Sequence, residues 1–239
     1  MRLSPSKLNV LNDCPRCFWD ANVKGVERPR GIFPSLPAGI DRVLKDYFDQ
    51  YRGSLPLELQ GKVTGILFQD QATLKKWRNW RSGLTLEDKN LDVTMIGALD
   101  DCLVTGETYG PLDYKTKGSE PKTDGSEYYQ AQMDCYALML EANGYKPSGK
   151  ATLVYYWPIS VQCTLGMISK GLTFGFESKV YELQADPNRA RALLEKAVKI
   201  LKGPRPEPSS GCEYCTYVGT KGAIDNEDHP TTKPKHQES

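Results

Sequence analysis

Residues 110–118 read GPLDYKTKG, an apolar step followed by an acid, an aromatic and a lysine. On a strand, side chains two apart share a face, so Asp113 and Lys115 project together while Tyr114 points the other way. A carboxylate so placed can hold a hard cation such as magnesium. The ammonium beside it can orient a water or stabilise charge developing on a phosphate. A strand end in water has the same letters and is the common fate of a D-x-K triplet, so its neighbours decide.

Upstream, residues 91–104 (LDVTMIGALDDCLV) read as one strand that a turn around Gly106 joins to residues 109–116 as a hairpin. Alternation puts Asp100 on the face of Ile96 and Ala98, turned toward Asp113, and Asp101 on the other. Downstream, the spacing predicts a helix from Ser126 to Asn143, stopped by Gly144. Gln132 and Tyr136 lie one turn apart on it, able to contact a phosphate, or with Tyr136 in the core beside Leu140.

Around this centre, Ser4 or Ser6 caps a helix through Leu11 and a second helix follows Pro15. Residues 36–51 carry Ile40, Val43, Leu44, Tyr47, Phe48 and Tyr51 at helical spacing, ended by Gly53. A short helix is expected in 72–83, strands in 150–158 and 172–183, and a final helix from Pro187 to Lys202. These elements make an α/β chain of 239 residues, which fits one large domain burying roughly 70% of its unfolded surface. The polar residues after Tyr217 are expected to lack structure.

Lys plus Arg is 31 and Asp plus Glu is 30, so a nucleic-acid contact must come from a local patch. Residues 74–83 interleave Lys75, Lys76, Arg78 and Arg81 with Trp77 and Trp80, either a DNA contact or a helix covering the core through its tryptophans. No run approaches the ~20 apolar residues of a membrane span and the N-terminus lacks a secretory core, so a cytoplasmic protein without membrane contact is expected. Residues 144–152 (GYKPSGKAT) approximate a P-loop, but Ala151 replaces its Ser or Thr and the segment runs from helix to strand, which argues against ATP binding.

Seven cysteines include two C-x-x-C pairs, Cys14 with Cys17 and Cys212 with Cys215. Two such pairs make a four-thiolate site for zinc or an iron-sulfur cluster, and a thioredoxin-like context is absent around Cys212. Cys102, Cys135 and Cys163 read as small buried hydrophobes.

In order, G-x-x-D at Gly97–Asp100, D-Y-K-T at Asp113–Thr116 and Q-x-x-x-Y at Gln132–Tyr136 resemble the PD-(D/E)XK nuclease superfamily. The likeness, which includes LSPSKLNVLNDCPRCFWD at 3–20, is to its RecB-type domains and the iron-sulfur exonucleases of CRISPR adaptation. It implies a restriction-endonuclease-like core, a central mixed β-sheet flanked by helices, over residues 1–217, with the terminal segments joined at a cysteine metal site and 218–239 as a tail. It also implies a magnesium- or manganese-dependent deoxyribonuclease. Asp100, Asp113 and the Tyr114 carbonyl would be metal ligands, Lys115 the catalytic lysine, and Gln132 with Tyr136 active-site supports. Cys14, Cys17, Cys212 and Cys215 would carry a [4Fe-4S] cluster, although these relatives divide the ligands one and three, not two and two. The implied substrate is single-stranded or end-containing DNA, cut as an exonuclease or flap processor in repair, recombination or foreign-DNA processing, with a helicase or recombination partner supplying any unwinding.

One departure bears on activity. The RecB pattern has a metal-binding histidine on an early helix, and here the histidines are His229 and His236, near the C-terminal end. Asp41 stands in that helix, either as an oxygen ligand or as the i, i+4 partner of Lys45. The alternative function is a catalytically inactive nucleic-acid-binding subunit that keeps the structural metal site.

Overall fold

The computed structural model describes residues 1–29, 31, 35–164 and 171–228. In chain order its elements are β1 (Arg2–Leu3), α1 (Pro5–Asp13), α2 (Pro15–Trp19), α3 (Ser35–Phe48), β2 (Ile66–Leu67), α4 (Gln71–Trp77), β3 (Leu84–Asp88) and β4 (Val93–Gly97). Then come β5 (Asp101–Thr105), β6 (Thr108–Thr116), α5 (Ser126–Ala142), β7 (Lys150–Thr164), β8 (Gly171–Gln184), α6 (Pro187–Lys202) and α7 (Glu213–Asp228). Contacts sort the chain into two units, Met1–Asn9 with Gly31–Val198, and Val10–Arg30 with Lys199–Ser239.

The larger unit is built on a mixed sheet in the order β2-β5-β6-β7-β8, in which β6 and β7 run parallel and the other pairs antiparallel. Parallel neighbours need a long crossover, and α5 supplies it. Helix α3 packs on β6 and buries Phe48, with Leu44 and Tyr47, against Leu112, Tyr114, Val154 and Tyr156. Helix α5 contacts β6 along with β3 and β4. This is the expected α/β architecture, a mixed sheet flanked by helices. Val43, expected on the buried stripe of α3, is 62% exposed because the burying residues lie on the Leu44, Tyr47, Phe48 side of the helix.

The strand expected over 91–104 is divided. Its first part, β4, belongs to a second sheet ordered β1-β4-β3, and its second part, β5, to the main sheet. Residues 98–100 cross between them, with backbone groups satisfied from elsewhere: the Ala98 carbonyl accepts from Tyr136 Oη at 2.6 Å, Leu99 N–H donates to the Trp77 carbonyl at 3.0 Å, and Arg78 Nε donates to the Asp100 carbonyl at 2.7 Å. These three bonds replace the ladder that a continuous strand would have made.

Helices α2 and α7 lie in the smaller unit, where Trp19 Nε1 donates to the Gly203 carbonyl at 3.2 Å and Arg205 pairs with Asp20 at 2.6 Å. The polar residues after Tyr217, expected to lack structure, continue α7 as far as Asp228. The first turn is anchored at the cysteine pair, with Thr216 N–H donating to the Cys212 carbonyl at 3.0 Å, and extending a formed helix costs far less than starting one. Among the described residues, no helix is long and apolar enough to cross a membrane.

At the start of β5, Asp101 is fully buried and satisfied by Arg52 Nη1 at 2.7 Å, Arg78 Nη2 at 3.3 Å and the Tyr114 hydroxyl. Removing this acid leaves two guanidinium groups without their buried partner. Asp101→Ala is expected to lower the unfolding free energy by about 3–5 kcal/mol in urea titration.

Candidate active site

The strand β6 presents Asp113 and Lys115 on the face toward α5, while Tyr114 turns to the opposite face and packs on Phe48. Asp113 is 1% exposed. Its Oδ1 receives Gln132 Nε2 at 3.4 Å, and its Oδ2 forms an ion pair with the Lys115 ammonium. Among the described residues no other donor reaches Oδ2.

Asp100 lies in the crossing between the two sheets, close enough to Asp113 for their carboxyl groups to interact. Burial, and then the Asp100 charge, push the Asp113 carboxyl up to about 7 even though Lys115 pulls the other way. Two carboxylates this close disfavour joint ionisation unless a cation joins them. The bend, rather than strand alternation through Ile96 and Ala98, gives Asp100 its place. Asp101 enters the separate buried network with Arg52 and Arg78.

Two lysines flank the acids. Lys115, over the Tyr129 ring at 4.5 Å, keeps a raised pKa: burial works against the ammonium, but Asp113 and then Asp100 outweigh it. It is therefore a cation at neutral pH and not a base. Lys45 Nζ sits 2.7 Å from Asp41 Oδ2 and 2.8 Å from Asp100 Oδ1. Asp41 thus meets the acidic pair through an ammonium. The i, i+4 spacing had suggested the first of these contacts, while the second depends on tertiary structure that no local spacing reports.

Gln132 and Tyr136 link by hydrogen bonds to Asp113 and to the bend beside it. Gln132 Nε2 donates to both Asp113 and Tyr136 Oη, the latter at 2.9 Å, and Tyr136 donates to the Ala98 carbonyl. One side-chain chain therefore fixes the Asp113 carboxylate and the bend that carries Asp100. Both residues line a cleft of about 350 Å³ with Ser4, Ser6, Asn9, Gly97 and Trp80.

The basic and aromatic segment divides its roles. Trp77 is buried and stacks on Phe68 at 4.8 Å, and Arg78 pairs with Asp49 and Asp101. Lys75, Lys76 and Arg81 are exposed, as is Trp80 at 72%, with Arg81 over its ring. The P-loop-like residues 144–152 run from the end of α5 into β7, the reverse of the strand-to-helix order that phosphate binding needs.

In the smaller unit Cys14, Cys17, Cys212 and Cys215 bring their sulfurs together, all within 4.8 Å of one another. Burial would raise Cys14, but backbone hydrogen bonds at Cys17 and Ser209 and the neighbouring thiols hold it down at about 6. Burial pushes Cys17 and Cys215 up. Cys14 is thus a ready thiolate, while Cys17 and Cys215 need a cation to become thiolates. Cys102 and Cys135 are buried, as expected, while the Cys163 side chain, His229 and His236 lie outside the described residues.

The neighbouring carboxylate oxygens of Asp100 and Asp113 are the hard donors that a divalent cation takes. The four thiols fit a soft-metal centre. In comparison with family models, residues 38–220 match the PD-(D/E)XK nuclease superfamily. Comparison with curated proteins finds no match.

Gly97 opens the G-x-x-D of residues 97–100, and its lack of a side chain has a packing reason. A Cβ there would lie 2.5 Å from Met139 Cε and 3.0 Å from Tyr136 Cε1. Gly97→Val is expected to displace Tyr136 and lower stability by about 1–3 kcal/mol, measured by chemical denaturation.

Proposed function

The chain belongs to the PD-(D/E)XK nuclease superfamily, and from that premise we propose that it is a magnesium- or manganese-dependent nuclease that cleaves DNA. The observation that carries this reading is buried Asp113 with half-buried Asp100 beside it and the Lys115 ammonium on its Oδ2. A divalent ion held there would polarise the phosphate and lower the pKa of an attacking water. Asp100 and Asp113 would hold that ion, with the Tyr114 carbonyl as a further oxygen. Lys115, kept charged by its acidic neighbours, stabilises the negative charge that develops on the phosphate and orients the water. Gln132 and Tyr136 position the two acids.

The substrate we favour is DNA with a free end or single-stranded character. Exposed Trp80, on the cleft that Gln132 and Tyr136 line, offers a stacking face that paired bases do not use, and Lys75, Lys76 and Arg81 offer charge to the backbone. Residues 1–217 are proposed to serve as one nuclease module in repair, recombination or foreign-DNA processing.

The inactive-subunit reading draws support from one feature, the Lys45 ammonium placed between Asp41 and Asp100 where a metal-binding side chain was expected. Asp41 is proposed as an added oxygen ligand when Lys45 swings aside.

Purified protein is expected to degrade DNA only when magnesium or manganese is added, and to prefer linear over circular substrates. Lys115→Ala should cut at least ~100-fold more slowly while still binding DNA in fluorescence anisotropy. Wild-type protein that binds DNA but never cuts it with either ion would favour the inactive subunit. Trp80→Ala is expected to weaken single-strand binding by about 1–3 kcal/mol in the same anisotropy measurement.

A further inference from the structure

The sulfur tetrahedron in the smaller unit has measurable edges. Cys17 Sγ stands 3.5 Å from Cys212 Sγ and 3.6 Å from Cys215 Sγ, Cys14 Sγ stands 3.9 Å from Cys215 Sγ, and all four fall within 4.8 Å. Four thiolates at ~2.3 Å from one tetrahedral ion stand about 3.8 Å apart. A [4Fe-4S] cubane bonds each thiolate to a different iron and fills the space between them with eight atoms, which spreads the sulfurs to roughly 6 Å. The observed edges are those of the first arrangement and leave no volume for the second.

Each pair is set at a helix start. Cys14 precedes α2 and Cys17 lies in its first turn, while Cys212 precedes α7 and Cys215 lies in its first turn. In both pairs the first cysteine carbonyl closes that turn, receiving Phe18 N–H at 3.1 Å and Thr216 N–H at 3.0 Å. Four thiolates on a divalent ion also leave a double negative charge, and Arg28 is placed to offset it: Nη2 is 3.9 Å from Cys212 Sγ and the guanidinium lies over the Tyr214 ring at 4.7 Å.

We propose that Cys14, Cys17, Cys212 and Cys215 bind a single tetrahedral zinc ion, and not the [4Fe-4S] cluster that the likeness to iron-sulfur exonucleases implies. Zinc has no redox chemistry of its own, so the site ties the two cysteine pairs together without an electron-carrying centre.

The test uses the full chain, produced without oxygen in cells supplied with both iron and zinc. Metals and acid-labile sulfide are quantified, and the bound ion is then exchanged for cobalt(II). The expected result is one zinc per chain, no labile sulfide, a colourless protein, and after exchange the visible absorption of a tetrahedral cobalt tetrathiolate. That absorption should be lost in Cys14→Ser and in Cys212→Ser. Stoichiometric iron, with or without sulfide, overturns the proposal, as does protein that retains no zinc and gives no tetrahedral cobalt spectrum. No nuclease assay enters, so the outcome stands apart from the proposed activity.

Discussion

Burying Asp113 next to Asp100 is the demand that the larger unit is organised to meet. A lone buried carboxylate is disfavoured by several kcal/mol, and a second acid beside it adds to the problem. The surroundings answer with Lys115 on Asp113, Lys45 on Asp100 and Gln132 on the remaining Asp113 oxygen. Because Tyr136 binds both Gln132 and the Ala98 carbonyl, helix α5 sets the two acids in one motion. The break between β4 and β5 follows from the same need, since it frees Asp100 from strand geometry and hands Asp101 to the arginines below.

Much of this was legible in the chain itself. D-x-K on a strand places Asp113 and Lys115 on one face and Tyr114 on the other, because a period of two leaves no other choice. The Gln132 and Tyr136 spacing likewise fixes a shared helical face. Asp100 was reached by an alternation that does not run through the bend. What the letters could not convey was the change of sheet at residues 98–100, whose backbone bonds come from Trp77, Arg78 and Tyr136. Lys45 was hidden for a similar reason: its contact with Asp41 is local, and its contact with Asp100 spans the fold.

The cysteines mark a different boundary between pattern and distance. Two C-x-x-C pairs announce a four-thiolate centre from spacing alone, but spacing is shared by zinc sites and clusters. Separation of the sulfurs discriminates, and it exists only once the two chain ends have met. The same pairing gives α7 its start and extends helix into residues whose polarity argued against it.

Whether Asp100 and Asp113 together hold a divalent ion is the point on which the proposed chemistry turns. Manganese binding followed by electron paramagnetic resonance reads it directly, without DNA and without turnover. Wild-type protein should remove free manganese from solution with a saturable site that is lost in Asp113→Asn and in Asp100→Asn, while circular dichroism shows each variant folded. Undiminished binding in both variants would contradict the account.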